Sequence, residues 1–195
     1  MVEAAVGQHV MLSGAALGTA AALCLPLGIL ASRRSWGRTA IATVNALRVI
    51  PSLAVLAFVL PWLGLGFASA LVALVVLALP PVLVNTDVAY RGVDANVVDA
   101  ARAMGLTPAQ VLWRVETPLA LPVVLAGLRV AAVEVVASAT LATLIGAGGL
   151  GDLIETGLQL NEPGELLVGS IAAAVLALTA AAVFGGCERL AAAGR

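Results

Sequence analysis

The chain has 195 residues, of which 62% are hydrophobic and 11% charged, with a mean hydropathy of +1.09. Soluble domains of this length carry about 25% charged residues, so the composition points to lipid as the solvent. A net charge of −1 excludes the basic field that nucleic acid needs, and the absence of lysine excludes a Walker-A loop, a Schiff base and a Ser-Lys dyad.

Other reactive side chains are sparse. His9 is the single histidine, which leaves zinc sites and Ser-His or Cys-His pairs almost nothing to build on. Cys24 and Cys187 lie in apolar runs and read as small buried hydrophobes. No catalytic residue, metal site or cofactor is expected.

A membrane helix needs about 20 mostly apolar residues. In chain order such spans fall at 10–31, 43–63, 67–89, 120–145 and 166–187. The first has no basic residue in front of it and Arg33 and Arg34 behind it, the layout of a span rather than of a cleavable leader. The second contains Arg48 and Pro51, so a kink is expected, with the deep part running from Val49 to Leu63. Pro26, Pro80 and Pro81 are expected to kink the first and third. Trp36 and Trp62 flank spans, where amphipathic rings favour the interface.

The arginines predict the orientation. Arg33, Arg34 and Arg38 fall between spans one and two, Arg91, Arg102 and Arg114 between three and four, and Arg189 and Arg195 after five. The amino-terminal tail and the loops at 64–66 and 146–165 carry none. The positive-inside rule then puts the amino terminus outside and the carboxyl terminus in the cytoplasm.

The 90–117 loop reads as structured. Asp94 caps a short helix in which Val97, Ala101 and Met104 recur at helical spacing, with Asp99 and Arg102 off that stripe. Gly105 suits a left-handed terminator. Thr107, Pro108 and Gln110 then spell a capping box with proline at the first helical position, opening a second helix to about Glu116 before Pro118 and Pro122 lead into span four. Two short helices have too little core to stand alone. They pack beneath the spans or dock into a partner's groove. A DNA-reading helix pair is a third possibility, disfavoured by the flanking spans and the scarcity of basic residues.

Asp99-Ala100-Ala101, Gly105, Val115, Thr117 and Pro118 stand at the spacing of Glu-Ala-Ala-x3-Gly-x9-Ile-x-Leu-Pro. The loop therefore resembles the EAA motif of ABC importer permeases, departing from it by Asp for Glu, Val for Ile and Thr for Leu. Ile50-Pro51-Ser52-Leu53-Ala54, Asn85-Thr86, Gly92-Val93-Asp94 and the stretch from Ala139 to Asp152 resemble the osmoprotectant subfamily, whose substrates are glycine betaine, choline and carnitine. The resemblance runs from about residue 8 to 187 and implies an all-α permease domain over 1–195, in the manner of type I importers. It implies a multi-pass protein of a prokaryotic inner membrane that is not itself an enzyme. It further implies cytoplasmic ATPase subunits as partners, an extracytoplasmic substrate-binding protein, and a second permease subunit, identical or similar. Asp99, Ala100, Ala101, Gly105 and Pro118, with Val97 and Met104 on the apolar stripe, are the expected ATPase-coupling residues.

Gly146-x-Gly148-x-x-Gly151 matches a dinucleotide fingerprint in letters, but it ends a membrane span instead of a strand. Gly146, Gly148, Gly149 and Gly151 are read as a tight turn at the periplasmic gate, followed by a short surface helix from Asp152 to Leu160. Close approach of two permease subunits is a second use for these glycines.

Glu134 lies roughly 18 Å into span four counted from Pro122, near mid-membrane. An ionisable group at that depth is a functional hypothesis by default. One reading puts it on the translocation pathway, where its charge suits a cationic substrate. The other makes it a structural group partnered by Arg48 or Arg129. Pro51 and Ser52 are the other expected pathway positions, because broken helices are tolerated where backbone lines a cavity. A methionine-type permease is the alternative function, and an ATP-independent secondary transporter a more distant one, disfavoured because the chain shows no internal repeat.

Overall fold

The computed structural model describes residues 2–193, so Arg195, expected to follow the last span, lies outside them. Among the described residues every regular element is helical. They are α1 (Val2–Ser32), α2 (Gly37–Asn45), α3 (Ser52–Leu63), α4 (Phe67–Arg91), α5 (Ala95–Ala103), α6 (Pro108–Val111), α7 (Thr117–Ala139), α8 (Leu150–Gln159) and α9 (Pro163–Ala193). A π turn at Leu112–Glu116 joins α6 to α7, and 3-10 turns follow α2 at Ala46–Val49 and α7 at Thr140–Ile145. Four helical segments are long and apolar enough to cross a membrane: Val2–Ser32, Phe67–Arg91, Pro108–Ile145 and Pro163–Ala193.

α4 is the centre of the bundle. It packs against α1 on one side and α7 on the other, and α7 in turn packs against α9. Between helices surrounded by lipid there is little hydrophobic drive, so close van der Waals fit carries the association and small residues gather at the contact. On α1 the buried positions Leu12, Ala16, Ala20, Cys24 and Gly28 repeat every four residues and form one narrow stripe. A Cβ at Gly28 would stand 2.7 Å from Thr86 of α4, so only glycine permits this approach. The contact of α7 with α4 uses the same device, with Gly127 against Asn85. Large side chains turn outward instead, among them Val175 and Leu178 of α9 and Phe58 of α3.

The second expected span is not a kinked helix but a broken one. α2 with its 3-10 turn meets α3 at a bend of 99°. The cause is local: Pro51 forces Ile50 into an extended conformation, with φ −77° and ψ 123°, and that ends the incoming helix. α3 has 12 residues and is therefore about 18 Å long, well short of a hydrocarbon core of about 30 Å. By contrast, α1 continues through Pro26 and α4 through Pro80 and Pro81 without a break. Trp36 and Trp62 are both exposed.

The fourth long segment departs from expectation in the opposite sense. A second short helix does begin at Pro108, but it does not end near Glu116. It continues through the π turn into α7 and on to Ile145 as one 38-residue segment. Pro118 has no N–H to give to the carbonyl four residues back and its ring would collide with that oxygen. The wider i→i+5 turn just before it relieves the clash without breaking the rod. Cys24 is buried as expected, whereas Cys187 is exposed on α9.

Candidate functional site

A cavity of about 250 Å³ opens where the broken span bends. Arg48, Pro51, Ser52, Pro80, Glu134 and Ser138 contribute to its wall. The break at Pro51 places Arg48 on the last turn of one short helix and Ser52 on the first turn of the next, so both reach one space. Glu134 and Ser138, one turn apart on α7, face it from the other side. All three residues expected along a pathway, Pro51, Ser52 and Glu134, thus meet in one cavity. Of the two partners considered for Glu134, Arg129 is taken: it lies 3.1 Å from Glu188 and ties α7 to α9. Arg48 lines the same cavity as Glu134, yet the two form no ion pair within 4.0 Å.

At the arginine-bearing end of the bundle, Asp94 caps α5 by accepting from the Asn96 amide at 2.8 Å. The helix closes in a Schellman motif, with Leu106 N–H donating to Ala101 O at 3.3 Å and Gly105 N–H to Arg102 O at 2.9 Å. Gly105 takes φ +83°, which a side chain would strain. The Thr107–Gln110 capping box is complete, with the Gln110 side chain accepting from Thr107 N–H at 2.8 Å. The expected apolar stripe splits: Ala101 is buried at 2%, while Val97 and Met104 are exposed at 42% and 75%. Asp99, Ala100 and Pro118 are also exposed. Val97 borders a hollow of about 340 Å³ shared with Val93 of the α4–α5 turn and Leu119 and Val123 of α7.

At the opposite end, Gly146 closes the 3-10 turn with φ +74°, and Ala147 N–H reaches Ala142 O at 3.1 Å in a second Schellman closure. The expected helix follows as α8, beginning two residues early; Leu150, Gly151 and Gly157 pack inward, while Asp152, Leu158, Gln159 and Leu160 stay exposed on its outer face. The glycines serve contacts inside the chain. Gly148 lies against Gln8, Gly149 against His9 and Gly151 against the carbonyl of Thr140. Gly66 N–H donates to Ile145 O at 2.7 Å, which ties the α3–α4 loop to the same turn.

Three charged or polar groups were missed in the sequence. His9, just ahead of the expected first span, is 1% exposed. Its Nδ1 accepts from Leu150 N–H at 3.3 Å, which leaves Nε2 as the donor to Val136 O at 3.0 Å. Asp87, inside the third span, receives Arg91 Nε at 2.9 Å on both oxygens, while Arg91 Nη2 donates to Ala31 O at 2.7 Å. Glu116 is paired with Arg33 across the α1–α7 gap. The i, i+4 spacing of Asp87 and Arg91 was visible; the other two contacts are long-range and carry no local signal.

The model of the binding-protein-dependent transport system inner membrane component family matches residues 24–190. The chain belongs to that family. It is 43% identical to the carnitine transport permease protein OpuCB of Listeria monocytogenes over 182 residues, 93% of this chain and 84% of that one. With the choline transport system permease protein OpuBB of Bacillus subtilis it shares 39% over 183 residues, again 93% of this chain and 84% of the relative. Among solved structures it resembles the inward-facing MetNI methionine ABC transporter, with a TM-score of 0.83 at 23% identity over 98% of this chain and 96% of that one. An amino acid ABC transporter gives 0.72 at 19% identity, over 97% and 91%. This family member is thus an all-helical, multi-pass inner-membrane permease subunit of an ABC importer, with the fold of the type I importers.

Proposed function

We propose that this permease translocates a quaternary-amine osmoprotectant such as glycine betaine, choline or carnitine, driven by ATP hydrolysed on a separate subunit. Relatives named for carnitine and choline, at 43% and 39% identity, support the substrate class. The likeness to a methionine transporter is at 23% identity and supports the fold alone.

The observation that carries the ATPase partnership is the state of α5. It is a short helix closed at both ends, with Asp99, Ala100 and Met104 exposed, Val97 half-exposed on the rim of the hollow beside α7, and only Ala101 buried. A partner groove that receives Val97 and Met104 accounts for apolar side chains left outside. Gly105 gives the sharp turn that presents them, and Pro118 with its π turn keeps the following segment continuous with α7. In this reading α5 faces the cytoplasm, with the amino terminus outside and the carboxyl terminus inside. The cavity at Pro51, Ser52 and Glu134 lies on the translocation pathway. Gly146, Gly148, Gly149 and Gly151 form the periplasmic gate, beside which a substrate-binding protein docks. The exposed rim of the cavity at Ile50 and Pro51 is closed by a second permease subunit.

Reconstitution with the co-purifying ATPase and binding protein tests the proposal. ATP-dependent uptake of glycine betaine, carnitine or choline is expected, with the ATPase lost from a Gly105→Asp variant in a mild-detergent pull-down. Uptake of methionine alone would move the substrate to the alternative class. A chain that transports without any ATPase would be a secondary transporter.

A further inference from the structure

We propose that Arg48 and Glu134 form a two-point charge site in the membrane-embedded cavity, one that takes a zwitterion in preference to a simple cation. The inference rests on the reading of the chain as an osmoprotectant permease and adds to it a binding site and its selectivity.

Three observations carry it. A guanidinium and a carboxylate face the same space from different helices, yet they stand too far apart to pair. Charges inside a span are costly when left alone, and two others within the expected spans are paired in the chain, Asp87 with Arg91 and Arg129 with Glu188. Arg48 and Glu134 are left for something placed between them.

Next, none of the residues around the cavity is aromatic. This chain thus brings no aromatic face, the usual receptor for a quaternary ammonium, and offers the cation the Glu134 carboxylate instead. A cation with no anionic group would meet the attraction of Glu134 and the repulsion of Arg48 together. A solute carrying both charges satisfies both, its carboxylate on the guanidinium fork and its ammonium toward Glu134.

Finally, the cavity is small. At about 250 Å³ it falls just below the range of pockets for drug-sized ligands, which suits a solute of a few heavy atoms. The hydroxyls of Ser52 and Ser138 offer neutral hydrogen-bond partners on the same wall. With Arg48 on the same wall as Glu134, the cavity is dipolar and not simply anionic.

The test uses the permease purified with its ATPase and placed in nanodiscs. A Ser52→Cys reporter in a Cys187→Ser background is labelled with a maleimide in the presence of glycine betaine or of choline. Glycine betaine is expected to protect the thiol at a concentration about tenfold lower than choline does. Arg48→Gln should erase that preference, Arg48→Lys should restore part of it, and Glu134→Gln should weaken protection by both solutes. Ser138→Cys is a second reporter should Ser52→Cys assemble poorly. Equal protection by the two solutes in the parent, or a preference that survives Arg48→Gln, overturns the site. Uptake by the complete transporter in proteoliposomes separates the two failures. If a quaternary amine accumulates while the preference is missing, this inference alone is wrong. If none accumulates, the functional reading beneath it is wrong.

Discussion

Arg33, just beyond the end of α1, forms an ion pair with Glu116 in the π turn ahead of α7, joining residues 83 apart in the chain. The Glu116 side chain is 11% exposed and that of Arg33 44%, so the carboxylate depends on its partner more than the guanidinium does. Arg33→Ala is expected to cost about 1–2 kcal/mol, less than a fully buried pair because of the exposure of Arg33. Thermal unfolding in detergent reads this. The Arg33→Leu, Glu116→Leu double variant should recover part of the loss, since no charge is then left unpaired.

The α1–α4 contact makes a prediction with its own control. A methyl group at Gly28 meets Thr86 at 2.7 Å, whereas one at Gly14 meets nothing within 4 Å. Gly28→Ala should destabilise by about 1–3 kcal/mol through overpacking. Gly14→Ala, in the same helix, should change stability by no more than about 0.5 kcal/mol. Equal effects would mean that helix propensity and not close approach governs α1.

His9 holds the outer turn through two hydrogen bonds that fix its neutral, Nε2-protonated form. His9→Ala leaves the Leu150 amide without its acceptor. Hydrogen exchange at Leu150 should accelerate roughly five- to tenfold, the worth of one such bond. Amides in the α4 core, around Leu74, should be unaffected.

On α5, neighbouring positions should separate stability from partnership. Met104→Glu, at a side chain 75% exposed, is expected to leave the melting temperature unchanged and to abolish co-purification of the ATPase. Ala101→Glu, at 2% exposure, should instead destabilise the permease itself. Loss of the ATPase from neither variant would move the docking surface away from α5.

What was legible in the sequence follows the range of the forces involved. Apolar runs, the capping box at Thr107 and Gln110, and the terminators Gly105 and Gly146 are set by residues within a turn or two of each other, and each is found where local chemistry puts it. Pro51 was read correctly as a disruption but underestimated, because composition does not report a bend angle. Pro118 was overestimated: a proline reads as a stop unless the π turn that accommodates it is foreseen. The burial of His9 and the pairing of Arg33 with Glu116 arise from segments brought together only by the fold. The convergence of Arg48 with Glu134 is of the same kind, since neither residue signals the other along the chain.

The unbroken segment from Pro108 to Ile145 is about 57 Å long at 1.5 Å per residue. Near its middle Gly127 packs against Asn85 of the central helix with no room for a Cβ between them. A stiff beam resting on a fulcrum at its midpoint moves its two ends by similar amounts in opposite directions. If the segment pivots there, a push on the α6 end toward the bundle axis swings the Gly146 end away from it. Spin-label distances measured at both ends across the ATP cycle should change with opposite sign. The proline that resembled a full stop is, on this geometry, what keeps the beam in one piece.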